Sequence, residues 1–140
     1  MRWALSRVAE RINEAVARAA SPHDKIRAMV DAIFVDATAN RRFYLVYLDL
    51  VDHAARSERF SKLSGEFRSI VNATYASVVR MGQEQGAFRQ VQVEEAAETM
   101  RAIIDGLFIQ WLQEPRWREL HERYRDMCKR SLLRYLGGEA

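Results

Sequence analysis

Apolar side chains recur at every third or fourth position along most of the 140 residues, the spacing that lines one face of an α-helix. Trp3, Leu5, Val8, Ile12 and Val16 mark a first helix over roughly Met1–Ala20. Ser21-Pro22 stops it, because proline denies the preceding residue helical geometry. Ser21 then reads as the cap of a second helix, with Pro22 in its first position and Asp24 well placed against the helix dipole. Ile26, Met29, Val30, Ile33, Phe34 and Ala37 share one face of that helix, which is expected to end near Asn40.

Arg41–Ala55 differs in character. Phe43, Tyr44, Leu45, Val46, Tyr47, Leu48, Leu50 and Val51 leave it little polar circumference, which predicts a central helix packed on several sides. A long helix follows over about Ser57–Gln85, with Phe60, Leu63, Phe67, Ile70, Val71, Thr74, Val78 and Met81 in rhythm. Gly65 inside it is tolerated at about 1 kcal/mol. Gln85-Gly86-Ala87-Phe88 reads as a stop with an aromatic plug, Gly86 being the left-handed residue past the helix end.

After a connector, Arg89–Gln92, the fifth helix spans Val93–Gln113. Ala96, Ala97, Met100, Ile104, Phe108 and Trp111 form its stripe, and Ile103 and Leu107 widen that stripe beyond what one neighbour covers. Pro115 ends it. The last helix, Trp117–Leu136, carries Leu120, Tyr124, Cys128, Leu132 and Tyr135 on one side and is closed by Gly137-Gly138. Only Val91-Gln92-Val93 alternates, too short a run for a sheet. The prediction is an all-α, antiparallel bundle of about six helices in one domain, 1–140.

Composition adds little to that picture. The net charge is +3, but Glu119, Glu122 and Asp126 interleave with Arg118, Arg123, Arg125 and Lys129, the mark of a solvated helix face rather than a phosphate-binding stripe. No stretch approaches a membrane span, and charges follow Met1 too soon for a signal peptide. A single cysteine, Cys128, suits a reducing compartment, so a cytoplasmic protein without a membrane partner is expected.

Motifs for chemistry are sparse. The chain holds no phosphate loop, dinucleotide-binding glycine pattern or nucleophile elbow. Asp49 and His53 stand one turn apart beside Asp52, a spacing compatible with a metal ligand pair or with a surface ion pair; His121 and Cys128 are two turns apart, too far to share an ion unaided. No metal, cofactor or catalytic residue is expected. Asp105 sits inside Ile103-Ile104-Asp105-Gly106-Leu107-Phe108, where an unpartnered charge is costly. It could face the solvent edge, pair with an arginine of the last helix, or touch a ligand. Gly106 suggests close approach by another helix.

Aromatic residues are the main chemical asset. Phe34, Phe43, Tyr44, Tyr47, Phe67, Tyr75, Phe108 and Trp111 fall on faces that should point inward. Any one of them reads as ordinary core. Together, with three phenols near Asp49 and Thr74, they suit a small-molecule pocket whose few polar groups orient a guest.

Gly86-Ala87-Phe88, followed by Glu94-Glu95-Ala96-Ala97-Glu98-Thr99-Met100-Arg101-Ala102-Ile103-Ile104-Asp105-Gly106-Leu107-Phe108-Ile109-Gln110-Trp111, resembles the C-terminal signature of the TetR family of transcription regulators. There a Gly-x-Phe turn precedes a helix with an Ile-Asp-Gly-Leu run. Arg42-Phe43-Tyr44-Leu45-Val46-Tyr47-Leu48 and Ser57-Glu58-Arg59-Phe60 resemble the BetI-like branch in particular.

The resemblance implies a non-enzymatic, ligand-sensing bundle whose last two helices pair with their copies in a four-helix homodimer interface. Ile103, Leu107, Leu120, Tyr124 and Cys128 are the candidate interface residues. The effector would be small and largely apolar or aromatic, held between the second to fifth helices by the eight aromatics named above. If it were a quaternary ammonium, as the BetI-like branch implies, Tyr44, Tyr47 and Trp111 would supply cation–π contacts of roughly 0.5–2 kcal/mol each. Residues 1–20 resemble the helix that follows a DNA-binding head, and the helix-turn-helix of that head is not found here. DNA would be read only through such a head. An alternative is a headless partner that heterodimerises with an intact paralogue and blocks its DNA binding.

Overall fold

In the computed structural model, which describes residues 2–138, six helices follow one another: α1 (Arg2–Arg18), α2 (Pro22–Ile33), α3 (Ala37–Ala54), α4 (Glu58–Glu84), α5 (Val93–Leu112) and α6 (Trp117–Leu136). The all-α prediction holds. Most boundaries fall where the punctuation put them. The Ser21 hydroxyl accepts a hydrogen bond from the Asp24 backbone N–H at 3.1 Å, and Pro22 occupies the first turn of α2. Gly86 (φ +72°) and Gly137 (φ +83°) take the left-handed conformation after α4 and α6. The ammonium of Lys25 donates to the carbonyls of Val16 and Ala19, each at 2.6 Å, and so satisfies the C-terminal end of α1.

The break between α2 and α3 departs from expectation. It falls at Phe34–Asp36, several residues before Asn40, because Asp36 acts as the cap: its carboxylate accepts from the Ala39 N–H at 2.8 Å. Asn40, buried in the first turn of α3, reaches back to donate its side-chain amide to the Ile33 carbonyl at 2.8 Å. An orphan acceptor at the end of α2 is thereby paired.

A second departure concerns which helix is central. α3 is not packed on all sides. It buries one stripe, Asn40, Tyr44, Tyr47 and Leu50, against α4 and in part α6, while Leu45 and Val46 are 52% and 49% exposed. The long α4 takes the middle position instead, touching α1, α2, α3 and α5, and α6 packs on α5 and α2. Apolar composition alone could not tell these apart, since exposed aliphatic residues are common on folded proteins.

The core centres on Phe34, Phe108, Trp111, Met100, Ile104 and Leu132, all essentially inaccessible. Burial of each such side chain contributes about 1.5–3 kcal/mol. Phe108 stacks between Phe34 (centroids 4.1 Å apart) and Tyr44 (3.9 Å), and the Trp111 indole N–H donates to the Trp117 carbonyl at 2.7 Å. The aromatic plug has a specific seat: a Cβ on Gly82 would lie 1.9 Å from the Phe88 ring, so glycine is required there. On α6 the mixed charges pair locally (Arg125 with Glu122, 3.3 Å) and across to α2 (Lys129 with Asp31, 2.7 Å). No described helix is long and apolar enough to cross a membrane.

Candidate functional site

A cavity of about 490 Å³ opens on one side of the bundle. Its walls come from five helices. α1 supplies Trp3, Ala4, Arg7, Val8, Arg11 and Ile12. The end of α2 and its loop add Ile33 and Val35. α3 contributes Ala39, Asn40, Arg42, Phe43, Tyr44, Val46 and Tyr47; α4 contributes Phe67, Val71 and Tyr75; α5 contributes Arg101, Ile104 and Asp105. Volume and lining fall in the range of small-molecule pockets, about 300–1,000 Å³ with mostly apolar walls and a few convergent polar groups.

Of the aromatics singled out from sequence, Phe43, Tyr44, Tyr47, Phe67 and Tyr75 line this cavity. Phe34, Phe108 and Trp111 do not. They form the layer behind it, and Trp111 in particular is fully buried with its N–H already bonded. The cation–π role imagined for Trp111 is therefore geometrically closed. Nor does Asp49 or Thr74 border the cavity: Asp49 lies on the surface beside His53 (3.6 Å), and the Thr74 hydroxyl donates to Asn13. Asp52 pairs with Arg56 at 3.1 Å rather than joining Asp49 and His53 at a shared ion.

Asp105 answers to a partner the sequence reading overlooked. It is partly buried at the cavity and pairs with no arginine of α6; its carboxylate accepts from Arg101, one turn earlier on α5, at 3.4 Å and from the Tyr44 hydroxyl at 3.3 Å. Burial pushes its pKa up to about 6, and Arg101 and the Tyr44 hydrogen bond pull in the opposite direction. Arg101 also extends to the Tyr47 hydroxyl, 3.5 Å away, while its Nε is buried without a hydrogen-bond partner. Tyr44, Tyr47 and Tyr75 are held in the phenol form, their pKa values raised chiefly by burial and further by Asp105. The floor of the cavity is thus a connected polar cluster set in aromatic walls.

The arginines Arg7, Arg11, Arg42 and Arg101 are the site residues that sequence reasoning missed. Two signals were present: the four-residue spacing of Arg101 and Asp105, and that of Arg7 and Arg11 on the α1 face shared with Ala4 and Val8. The sequence points to a pocket between α2 and α5; in this cavity α1 forms a full wall and α2 contributes only its end.

The five residues named for a subunit interface separate into two groups. Ile103, Leu107 and Leu120 are half-buried on the outer side of α5 and α6. Tyr124 and Cys128 are buried within the chain itself, 6% and 0% exposed, and Tyr124 donates to Glu114 at 2.9 Å. They face inward because α6 buries the stripe His121, Tyr124, Cys128 and Leu132 against its own neighbours. Gly106 has nothing within 4 Å of a Cβ built on it, so no helix of the same chain makes the close approach expected there.

Comparison with curated proteins and with solved structures gives no match. A family model does match: residues 22–137 fit the C-terminal domain of BetI-type transcriptional repressors. That stretch takes in α2 to α6 and so most of the cavity wall, and the family's role is regulatory, through ligand binding and dimerisation. With most of its length matched, the chain belongs to the BetI-type transcriptional repressor C-terminal family.

Proposed function

We propose that residues 1–140 form the effector-sensing and homodimerising unit of a cytoplasmic transcription repressor. The observation that carries this reading is the cavity: about 490 Å³, aromatic-walled, with Tyr44, Tyr47, Arg101 and Asp105 converging at its floor. A plain core would not leave such a volume open beside a partly buried ion pair, because both the missing contacts and the partial desolvation of the charges cost stability. A small guest with an apolar body supplies the contacts. Its effect on regulation follows from unequal binding to two helix arrangements, since a ligand shifts only an equilibrium whose states it distinguishes.

Dimerisation uses the outer side of α5 and α6. Ala102 and Ile109 are exposed there, Ile103, Leu107, Leu120 and Met127 are half-buried, and Gly106 leaves a notch that admits a second backbone. Tyr124 and Cys128 support that surface from beneath. DNA reading is the work of a separate helix-turn-helix unit, since all six helices here are engaged in the bundle.

The cavity reading is tested by ligand-observed NMR with a set of small apolar and aromatic molecules, on the intact chain and on Ala39→Trp. Ala39 is exposed at the cavity wall, so the indole fills the opening without disturbing the core. Binding to the intact chain that disappears in a normally folded Ala39→Trp supports the site. Guests that bind both equally would place the sensing function elsewhere.

A further inference from the structure

We propose that the guest of this cavity is an amphipathic carboxylate, its apolar body against the aromatic walls and its anionic head at the arginines of the opening. The inference rests on the cavity being the effector site and adds the sign of the effector's charge. Four guanidinium groups, Arg7, Arg11, Arg42 and Arg101, border the cavity, against the single carboxylate of Asp105.

That carboxylate is already engaged by Arg101 and Tyr44. Among the described residues, Arg7, Arg11 and Arg42 have no carboxylate within ion-pair distance. Arg11 commits its Nε to the Ala32 carbonyl at 2.8 Å, which fixes the group in place. Arg7 lies over the Trp3 ring, 5.7 Å from its centroid, a stacking that leaves the guanidinium edge free. Arg7 and Arg42 are both exposed, on α1 and α3 respectively.

A cationic guest would enter a field of three guanidinium groups without a counter-charge, since Arg101 and Asp105 offset each other. A neutral guest gains only from the walls. A carboxylate gains from the walls and from charge-assisted, forked hydrogen bonds to guanidinium groups that are otherwise turned to water. The arrangement therefore argues against the quaternary ammonium that the BetI-like resemblance implies.

Three guests of one chain length separate these cases: decanoate, decanol and decyltrimethylammonium, each titrated by calorimetry below its micelle concentration. Decanoate is expected to bind at least about tenfold tighter than the other two at low salt, with the gap closing as salt screens the head. The double variant Arg7→Ala/Arg42→Ala is expected to narrow the carboxylate-over-alcohol ratio by about tenfold, the loss of one strong interaction.

Decanol or the ammonium binding as tightly as decanoate would overturn the charge assignment while leaving the cavity as the site. An unchanged ratio in the double variant would do the same. Failure of all three to bind the intact chain, or undiminished decanoate binding by Ala39→Trp, would overturn the cavity reading along with it.

Discussion

The guanidinium of Arg101 lies 3.4 Å from the carboxylate of Asp105, one turn further along α5 and at the floor of the cavity. Burial nevertheless leaves Asp105 with a pKa of about 6, above the 3.8 of a free aspartate. A carboxyl whose pKa is raised by folding binds its proton more tightly in the native state. Its ionisation therefore costs stability, on the order of 3 kcal/mol, across the window from pH 4 to pH 6. Asp105→Asn should abolish that component: the variant should lose less stability than the parent between those pH values in urea unfolding. An Asp105 carboxyl titrating near 4 by NMR would contradict this.

His121 works in the opposite sense. Its Nε2–H donates to the Asn40 side-chain oxygen at 2.7 Å, and burial, followed by the nearby Arg125, lowers its pKa. A base held below its ordinary value contributes stability that is complete above about pH 6.5 and lost as pH falls through the native value. The imidazole should titrate below the free value by NMR. Asn40→Ala should remove the bond, leave the Ile33 carbonyl unpaired and cost about 1–3 kcal/mol in unfolding experiments.

Tyr44→Phe isolates the hydrogen bond from the ring. The stack on Phe108 is kept, and only the donor to Asp105 is lost. The expected cost is about 1 kcal/mol, with the Asp105 titration moving further upward. An Asp105 titration that stays in place would show the phenol to be irrelevant to the carboxyl.

Gly82→Ala should destabilise by about 1–3 kcal/mol, because its Cβ would overlap the Phe88 ring. With Phe88→Ala already in place, the same change should be neutral or slightly stabilising, since alanine favours helix over glycine by about 1 kcal/mol. Thermal melts of the four proteins complete the cycle, and additivity would refute the plug.

Ile103→Arg and Leu107→Arg each place a charge on the proposed seam while projecting from a half-buried position. Both should give a folded monomer in sedimentation at concentrations where the parent sediments as a dimer. A dimer that persists in both variants would move the interface elsewhere.

The helices were legible because their punctuation is local: Ser21-Pro22, Gly86, Pro115 and Gly137 act within a turn of themselves. The α2–α3 break was misplaced although Asp36 carries its own cap, because Ala37 continued the apolar face and masked the signal. Membership of the cavity was half legible. Period tells which face of a helix turns inward, and it found Tyr44, Tyr47 and Tyr75, but it does not tell core from cavity. That difference depends on how far neighbouring helices separate, which placed Phe34, Phe108 and Trp111 behind the wall. The arginines were passed over because an isolated charge is usually solvated; only the arrangement of α1, α3 and α5 around one cavity gathers them.

The single buried stripe of α3 has a kinetic consequence. Phe43, Tyr44, Val46 and Tyr47 belong to the helix that is embedded along only one edge, with Leu45, Val46 and Val51 in water. Segments so shallowly held unfold locally at lower free energy than the whole molecule. The amides of α3 should therefore exchange with deuterium before those of α4 and α5, so that the wall it gives the open cavity is the first part of the bundle to loosen.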